Sequence, residues 1–155
     1  MGGSALIKLA DALAGIGYLG FDTAPIIYFI EVHPKYDALV TEVFRRIDDA
    51  KLLGCTSVIT VTETCNKPAQ QGNMRLVRAY HNLLVSRFLF WKTVPIRITD
   101  AARAADLRAK YNIKTPDALQ LAVAIDEGCE AFLTNDVQLK RVTELRVLVL
   151  DELEL

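Results

Sequence analysis

Apolar and polar positions along the chain alternate between helical and strand spacing. Leu6, Leu9, Ala10 and Leu13 recur at helical intervals, so an amphipathic leader helix is expected over about residues 5–14, ended by Gly15 or Gly17. Residues 18–22 read as a short buried strand. Pro25 favours the first turn of a helix capped by Asp22 or Thr23, which runs to about Val32 and stops before Pro34. In residues 36–53, Tyr36, Leu39, Val40, Val43, Phe44 and Ile47 form one apolar stripe. Glu42 and Arg46 face away from it, and Gly54 reads as the stop.

Residues 56–62 are β-branched and apolar and predict a strand. Residues 66–73, with Pro68 and Gly72, read as a loop. Met74, Val77, Tyr80 or His81, and Leu84 mark another helix. Residues 94–99 alternate as a strand, and Thr99 or Asp100 caps a helix to about Asn112. Thr115-Pro116-Asp117 opens a further helix, which ends at Gly128. Residues 130–134 are a strand, 136–142 one or two helical turns, and 146–150 a closing strand. Residues 58–61 and 132–133 carry few polar side chains. Strands alternating with helices, and largely apolar strand runs, predict a mainly parallel sheet covered on both faces.

Composition narrows the class. A chain of 155 residues, 52% hydrophobic, suits one domain over residues 1–155 with a real core. Net charge is −1, so bulk charge does not mark a polyanion binder. Residues 64–99, however, hold six basic residues and no acid, leaving a balance of 12 basic against 19 acidic elsewhere. That stretch is either a solvated helix face or a basic flank for a polyanion beside an acidic centre. Cys55, Cys65 and Cys129 are an odd count without C-x-x-C, which argues for a reducing compartment. Cys55 and Cys129 read as small buried residues. The apolar run 12–30 approaches membrane-span length, but Asp22 lies at its centre among Gly15, Gly17, Gly20 and Pro25. The start shows no signal-peptide pattern, and Leu6 stands where myristoylation wants Ser or Thr. A cytoplasmic protein without a membrane segment is expected.

Four acids stand where apolar segments end or begin: Asp22, Glu63, Asp117 and Asp136. Singly, each has an ordinary explanation. Asp22 and Asp136 suit caps, and Glu63 and Asp117 suit first helical turns. Jointly they matter, because element ends in an open α/β sheet gather along one edge, where ligands bind. Carboxylates meeting there would repel one another without a cation and would make a hard, oxygen-rich metal site. Other chemistries lack their residues. No phosphate-cradling glycine motif and no G-x-S-x-G is present. His33 and His81 have no zinc-spaced partner. Cys65 has no evident base. Ala24 stands where a phospho-aspartate hydrolase would carry its second Asp.

Four blocks in order carry a family resemblance: residues 21–28, 57–63, 117–122 and 132–136. Together they resemble the motifs of PIN-domain ribonucleases, most closely the toxins of VapBC-type toxin–antitoxin pairs, over about residues 17–150. The resemblance implies a PIN-like three-layer α/β/α sandwich with four to five strands in a mainly parallel sheet. It implies a Mg²⁺- or Mn²⁺-dependent endoribonuclease whose acidic site is Asp22, Glu63, Asp117 and Asp136. Asp22 and Asp117 would touch the metal directly and Asp136 directly or through water. Glu63 would position or deprotonate water, or hold a second ion. Thr134, two residues before the last acid, would support a ligand carboxylate. A homodimer and an inhibiting antitoxin are the expected partners. Lys67, Arg75 and Arg78 are candidate RNA phosphate contacts. The rivals are a PIN-like binding module that does not cut, and a DNA nuclease on the same fold. The leader helix and Pro25 are departures from the family pattern.

Overall fold

The computed structural model describes residues 3–86 and 89–155. Met1-Gly2, which bears on the myristoylation reading, and Arg87 of the basic stretch lie outside them. The chain runs β1 (Ile7–Lys8), α1 (Leu9–Ala12), β2 (Tyr18–Phe21), α2 (Thr23–Ile30), α3 (Asp37–Asp48), β3 (Leu53–Ser57), α4 (Ile59–Gln70) and α5 (Met74–His81). It continues with β4 (Trp91–Val94), α6 (Ile98–Tyr111), α7 (Thr115–Glu127), β5 (Ala131–Thr134), β6 (Arg146–Val149) and β7 (Leu153–Glu154). A π-helical turn at Asn82–Ser86 extends α5, and a 3₁₀ turn at Val137–Arg141 follows β5.

The central sheet has five strands, all parallel, in the order β4-β3-β2-β5-β6. Strand alternation divides the core in two. Leu19, Phe21, Ala131 and Leu133 point to one face, where they join Val40, Phe44, Ile47 and Leu84. Phe132 and Cys55 point to the other, against Leu107, Leu121 and Ala124 of α6 and α7. The result is the α/β/α sandwich expected, with the sheet at the upper end of the expected strand number. Gly20 lets α7 lie close to the sheet: a Cβ there would stand 2.7 Å from Ala124 Cβ.

Several boundaries differ from the sequence reading. The leader helix shrinks to the single turn of α1, because Ile7 and Lys8 instead pair in parallel with Leu153 and Glu154. Lys8 Nζ also donates to the carbonyl oxygen of Leu155 at 2.7 Å. Helix α3 ends at Asp48, where Ala50 turns the chain at φ 58°. Gly54 therefore stops no helix. It lies inside β3, where a Cβ would meet Trp91 and Ile47 within 3 Å. Strand β4 begins at Trp91, ahead of the expected 94–99.

The largest correction concerns residues 58–70. The predicted strand 56–62 is mostly helix, and so is the first part of the predicted loop 66–73. Thr60, Thr64 and Pro68 are the buried residues of α4, spaced four apart. That is helical periodicity written in threonine and proline rather than in leucine. Thr64 Oγ1 satisfies itself by donating back to the Thr60 carbonyl at 2.7 Å.

Candidate active site

From β2 the chain moves outward through β3 to β4, then returns to lay β5 on the opposite side of β2. The carboxyl ends of β2 and β5 therefore flank the switch point of the sheet, where a crevice opens in folds of this kind. Asp22 follows β2 directly, and its backbone N–H continues the ladder to the Leu133 carbonyl at 2.9 Å. Asp136 follows β5 after Asn135. Asp117 lies in the first turn of α7, whose start carries Pro116. Its cap is Lys114, so that Thr115, which the sequence pattern suggests as the cap, is instead the first helical residue. Glu63 neither closes a strand nor lies in a first turn; it sits in the second turn of α4.

The capping explanations hold for two of the acids and use only part of each carboxylate. Asp22 Oδ1 accepts from the Thr23 N–H at 2.8 Å, capping α2. Its Oδ2 accepts from the Thr134 hydroxyl at 2.7 Å. Asp136 Oδ1 accepts from the Gln138 N–H at 3.0 Å, capping the 3₁₀ turn. The Asp136 N–H donates to the same Thr134 hydroxyl at 3.0 Å. Thr134 is fully buried and thus ties the first acid to the last. Asn135 holds the loop between them, donating to Tyr28 Oη at 3.2 Å and accepting from the Asp151 N–H at 3.0 Å.

The carboxylates feel one another. Burial above all raises the Asp22 pKa, against the bonds from Thr134 and Thr23, and the charges of Glu63 and Asp136 raise it further. Burial raises Asp117, and Asp22 and Asp136 add to it against Lys114. Burial raises Glu63, opposed by Thr23 and reinforced by Asp117. Among the described residues, no three His, Cys, Asp or Glu side chains are grouped closely enough to hold one ion as they stand. The donor set still suits a hard divalent cation. It is all oxygen, and Asp22, Glu63 and Asp117 are each raised by the charge of other acids in the set, with Lys114 opposing this at Asp117.

Beneath the acids lies a buried polar cluster that the sequence reading passed over. Thr23, Thr56, Ser57, Thr60 and Gln120 are each less than a tenth exposed. Gln120 Oε1 accepts from the Ser57 hydroxyl at 2.6 Å and the Ser57 N–H at 3.3 Å. Its Nε2 donates to Thr60 Oγ1 at 2.7 Å and Thr23 Oγ1 at 3.1 Å. Thr23 Oγ1 in turn donates to Glu63 Oε1 at 3.3 Å. The available signal was Gln120 itself, one polar residue in an otherwise apolar run, one helical turn after Asp117.

A cavity of about 430 Å³ opens beside Glu63, with Lys67, Gln71 and Asn73 among its lining residues. Arg75 and Arg78 are exposed on α5 and do not line this cavity, whereas Lys67 lines it together with Glu63. Tyr80 is core, with its hydroxyl bonded to Glu31; His81 is exposed. Cys55 and Cys129 are buried free thiols 3.3 Å apart, as small core residues. No helix among the described residues is long and apolar enough to cross a membrane.

This arrangement, an α/β/α sandwich with acids around its switch point, belongs to a known class. The model of the PIN domain matches residues 21–145, a span that contains all four acids. The chain belongs to the PIN-domain family. Solved structures share its fold. One is VapBC2 from Rickettsia felis bound to a DNA fragment from its promoter (16% identity, TM-score 0.64, 85% of this chain and 97% of that one). A toxin–antitoxin complex from Klebsiella pneumoniae is similar (20% identity, TM-score 0.62, 86% and 98%). So is DNA-bound VapBC from Salmonella typhimurium (18% identity, TM-score 0.64, 87% and 98%). No curated protein matches the chain.

Proposed function

We propose that this PIN-domain protein is a Mg²⁺- or Mn²⁺-dependent endoribonuclease and the toxin of a toxin–antitoxin pair. The observation that carries the reading is the acid set at the switch point: Asp22, Glu63 and Asp117 each have a pKa raised by burial and by other acids of the set. A site that holds carboxylates against their own repulsion is built for a cation. The partner reading is supported by the similar structures, a toxin–antitoxin complex and two VapBC assemblies. A homodimer in the cytoplasm is part of the same reading.

Asp22, Asp117 and Asp136 would hold the ion, Asp136 directly or through water. Bound there, a divalent cation would neutralise phosphate oxygens and lower the pKa of a water. Thr134 fixes the Asp22 carboxylate in place, and the cap bond to Gln138 fixes Asp136. Glu63, raised above an ordinary carboxylate, is suited to take a proton from the attacking water or to orient it. Lys67, one turn further along α4, would contact an RNA phosphate in the cavity beside Glu63. Arg75 and Arg78 would act on the RNA backbone only at longer range.

Purified protein is expected to cleave single-stranded RNA with Mg²⁺ or Mn²⁺ and to stop on EDTA. Asp22→Asn and Asp117→Asn should each lose cleavage while remaining folded. Full cleavage by either variant overturns the assignment. RNA bound but uncut with every divalent ion would mark a binding module instead, and preferential cutting of DNA would mark a DNA nuclease.

A further inference from the structure

The geometry points to Gln120 as a positioning residue that turns the Thr23 hydroxyl toward Glu63. The inference rests on the reading of Glu63 as part of the working site, and it assigns a role to residues outside the acidic set.

The argument is one of proton direction. The Ser57 backbone N–H can only donate, so the Gln120 atom facing it at 3.3 Å must be the carbonyl oxygen. The Ser57 hydroxyl donates to that oxygen at 2.6 Å. Both hydrogens of Gln120 Nε2 are then committed to Thr60 Oγ1 at 2.7 Å and Thr23 Oγ1 at 3.1 Å. Each threonine oxygen is thus an acceptor, and each has one proton left to place.

Thr56 resolves the first. Its hydroxyl donates to the Phe21 carbonyl at 2.9 Å, so in its 2.7 Å contact with Thr60 it must accept. The Thr60 proton goes to Thr56. Thr23 is left with two neighbours, Thr60 Oγ1 at 3.2 Å and Glu63 Oε1 at 3.3 Å. Thr60 already accepts from Gln120, and a carboxylate is the stronger acceptor. The Thr23 proton therefore goes to Glu63. Direction runs one way, from the buried amide on α7 through the start of α2 to the acid on α4. A side-chain amide suits this place because it carries two donors and an acceptor in fixed order. A leucine would leave the threonines free to bond each other. A glutamate of the same shape would draw both hydroxyl protons toward itself and away from Glu63.

The test compares Thr23→Val, Thr23→Ser, Gln120→Leu, Gln120→Glu and the double variant Thr23→Val/Gln120→Leu. With RNA and Mn²⁺, Thr23→Val, Gln120→Leu and Gln120→Glu should each lower kcat about tenfold with KM little changed, and Thr23→Ser should keep most activity. The double variant should fall no further than either single one, because both break the same path. In the wild-type protein, NMR should show a slowly exchanging Thr23 hydroxyl proton with a cross-peak to the Glu63 side chain. That cross-peak should vanish in Gln120→Glu. Wild-type kcat in a folded Gln120 variant, or a double variant whose losses multiply to about a hundredfold, overturns the inference. If the wild-type protein cuts no RNA, the functional reading fails, and the hydroxyl cross-peak alone decides whether Gln120 directs Thr23. Should Gln120→Leu not fold, the isosteric Gln120→Glu and the Thr23 pair carry the comparison.

Discussion

The Thr134 hydroxyl donates to Asp22 Oδ2 at 2.7 Å while its oxygen accepts from the Asp136 N–H at 3.0 Å. One buried side chain thereby sets the position of two acids that lie more than a hundred residues apart in sequence. Thr134→Val keeps the shape and removes both bonds. It leaves a buried carboxylate oxygen and a backbone N–H without that partner, a loss of about 1–3 kcal/mol in stability. Denaturant unfolding should show that loss, and RNA cleavage should fall with it. Thr134→Ser should restore both.

The acid set should make the metal-free protein less stable than it could be. Asp22, Glu63 and Asp117 all have folded pKa values above their ordinary ones. Folding therefore takes up protons at these groups. Their contribution to stability is greatest below the ordinary carboxylate value of about 4 and is lost as pH rises through the higher folded values. At pH 7.5, Asp117→Asn should melt higher than wild type, by about 2–4 °C per kcal/mol of repulsion relieved. Mn²⁺ should raise the wild-type melting temperature, and at a hundredfold excess over its dissociation constant the gain is about 2.7 kcal/mol. Asp117→Asn should lose most of that gain. A metal-free Asp117→Asn protein that melts below wild type would contradict the repulsion.

What the sequence made legible follows from which physical signals are local. The sheet class, the Asp22 and Asp136 caps and the αL stop at Gly128 are each encoded within a few residues, and the structure shows each of them. Helix α4 looks like strand and loop in the sequence because its buried stripe is Thr60, Thr64 and Pro68, residue types that locally favour strands or turns. Only packing against α5, α2 and β3 reveals the stripe as helical. The local spacing suggests a longer α1 than forms because its competitor, the pairing of Ile7 with Leu153, involves a residue at the far end of the chain. Gln120 was invisible as a positioning residue for the same reason. Its partners Ser57, Thr60 and Thr23 lie 60 to 100 residues away, and no local spacing encodes that meeting.

Away from the acidic set, Asp100 anchors the start of α6. Its carboxylate is fully buried and accepts from the Arg97 N–H at 2.8 Å, from Arg97 Nε at 3.0 Å and from Nη2 at 3.1 Å. Burial works to raise its pKa, but the bonds from Arg97, helped by a hydrogen bond with the Asp126 side chain, outweigh it and hold the carboxyl below the ordinary value. The sign is opposite to that of the acid set. This stability is present above the unfolded pKa of about 4 and is lost as pH falls through the lower folded value. Asp100→Ala should cost about 2 kcal/mol at pH 7 through the lost cap and ion pair. The difference from wild type should shrink in unfolding curves recorded below pH 4. A pH-independent difference would assign the loss to packing alone.

Gly20 couples packing to the site. A Cβ on this strand residue would lie 2.7 Å from Ala124 Cβ on α7 and 3.1 Å from Phe132. Neither contact is the far end of a flexible chain, so Gly20→Ala must push α7 away from β2. Overpacking of this kind costs about 1–3 kcal/mol. Helix α7 carries both Asp117 and Gln120, so the displacement should reach the acids as well as the core. Gly20→Ala is expected to lower the unfolding midpoint and to reduce cleavage by more than the unfolded fraction explains. The second substitution Ala124→Gly removes the 2.7 Å clash and should recover part of both losses. Recovery of stability without recovery of cleavage would show that α7 returns to the sheet but leaves Asp117 out of register.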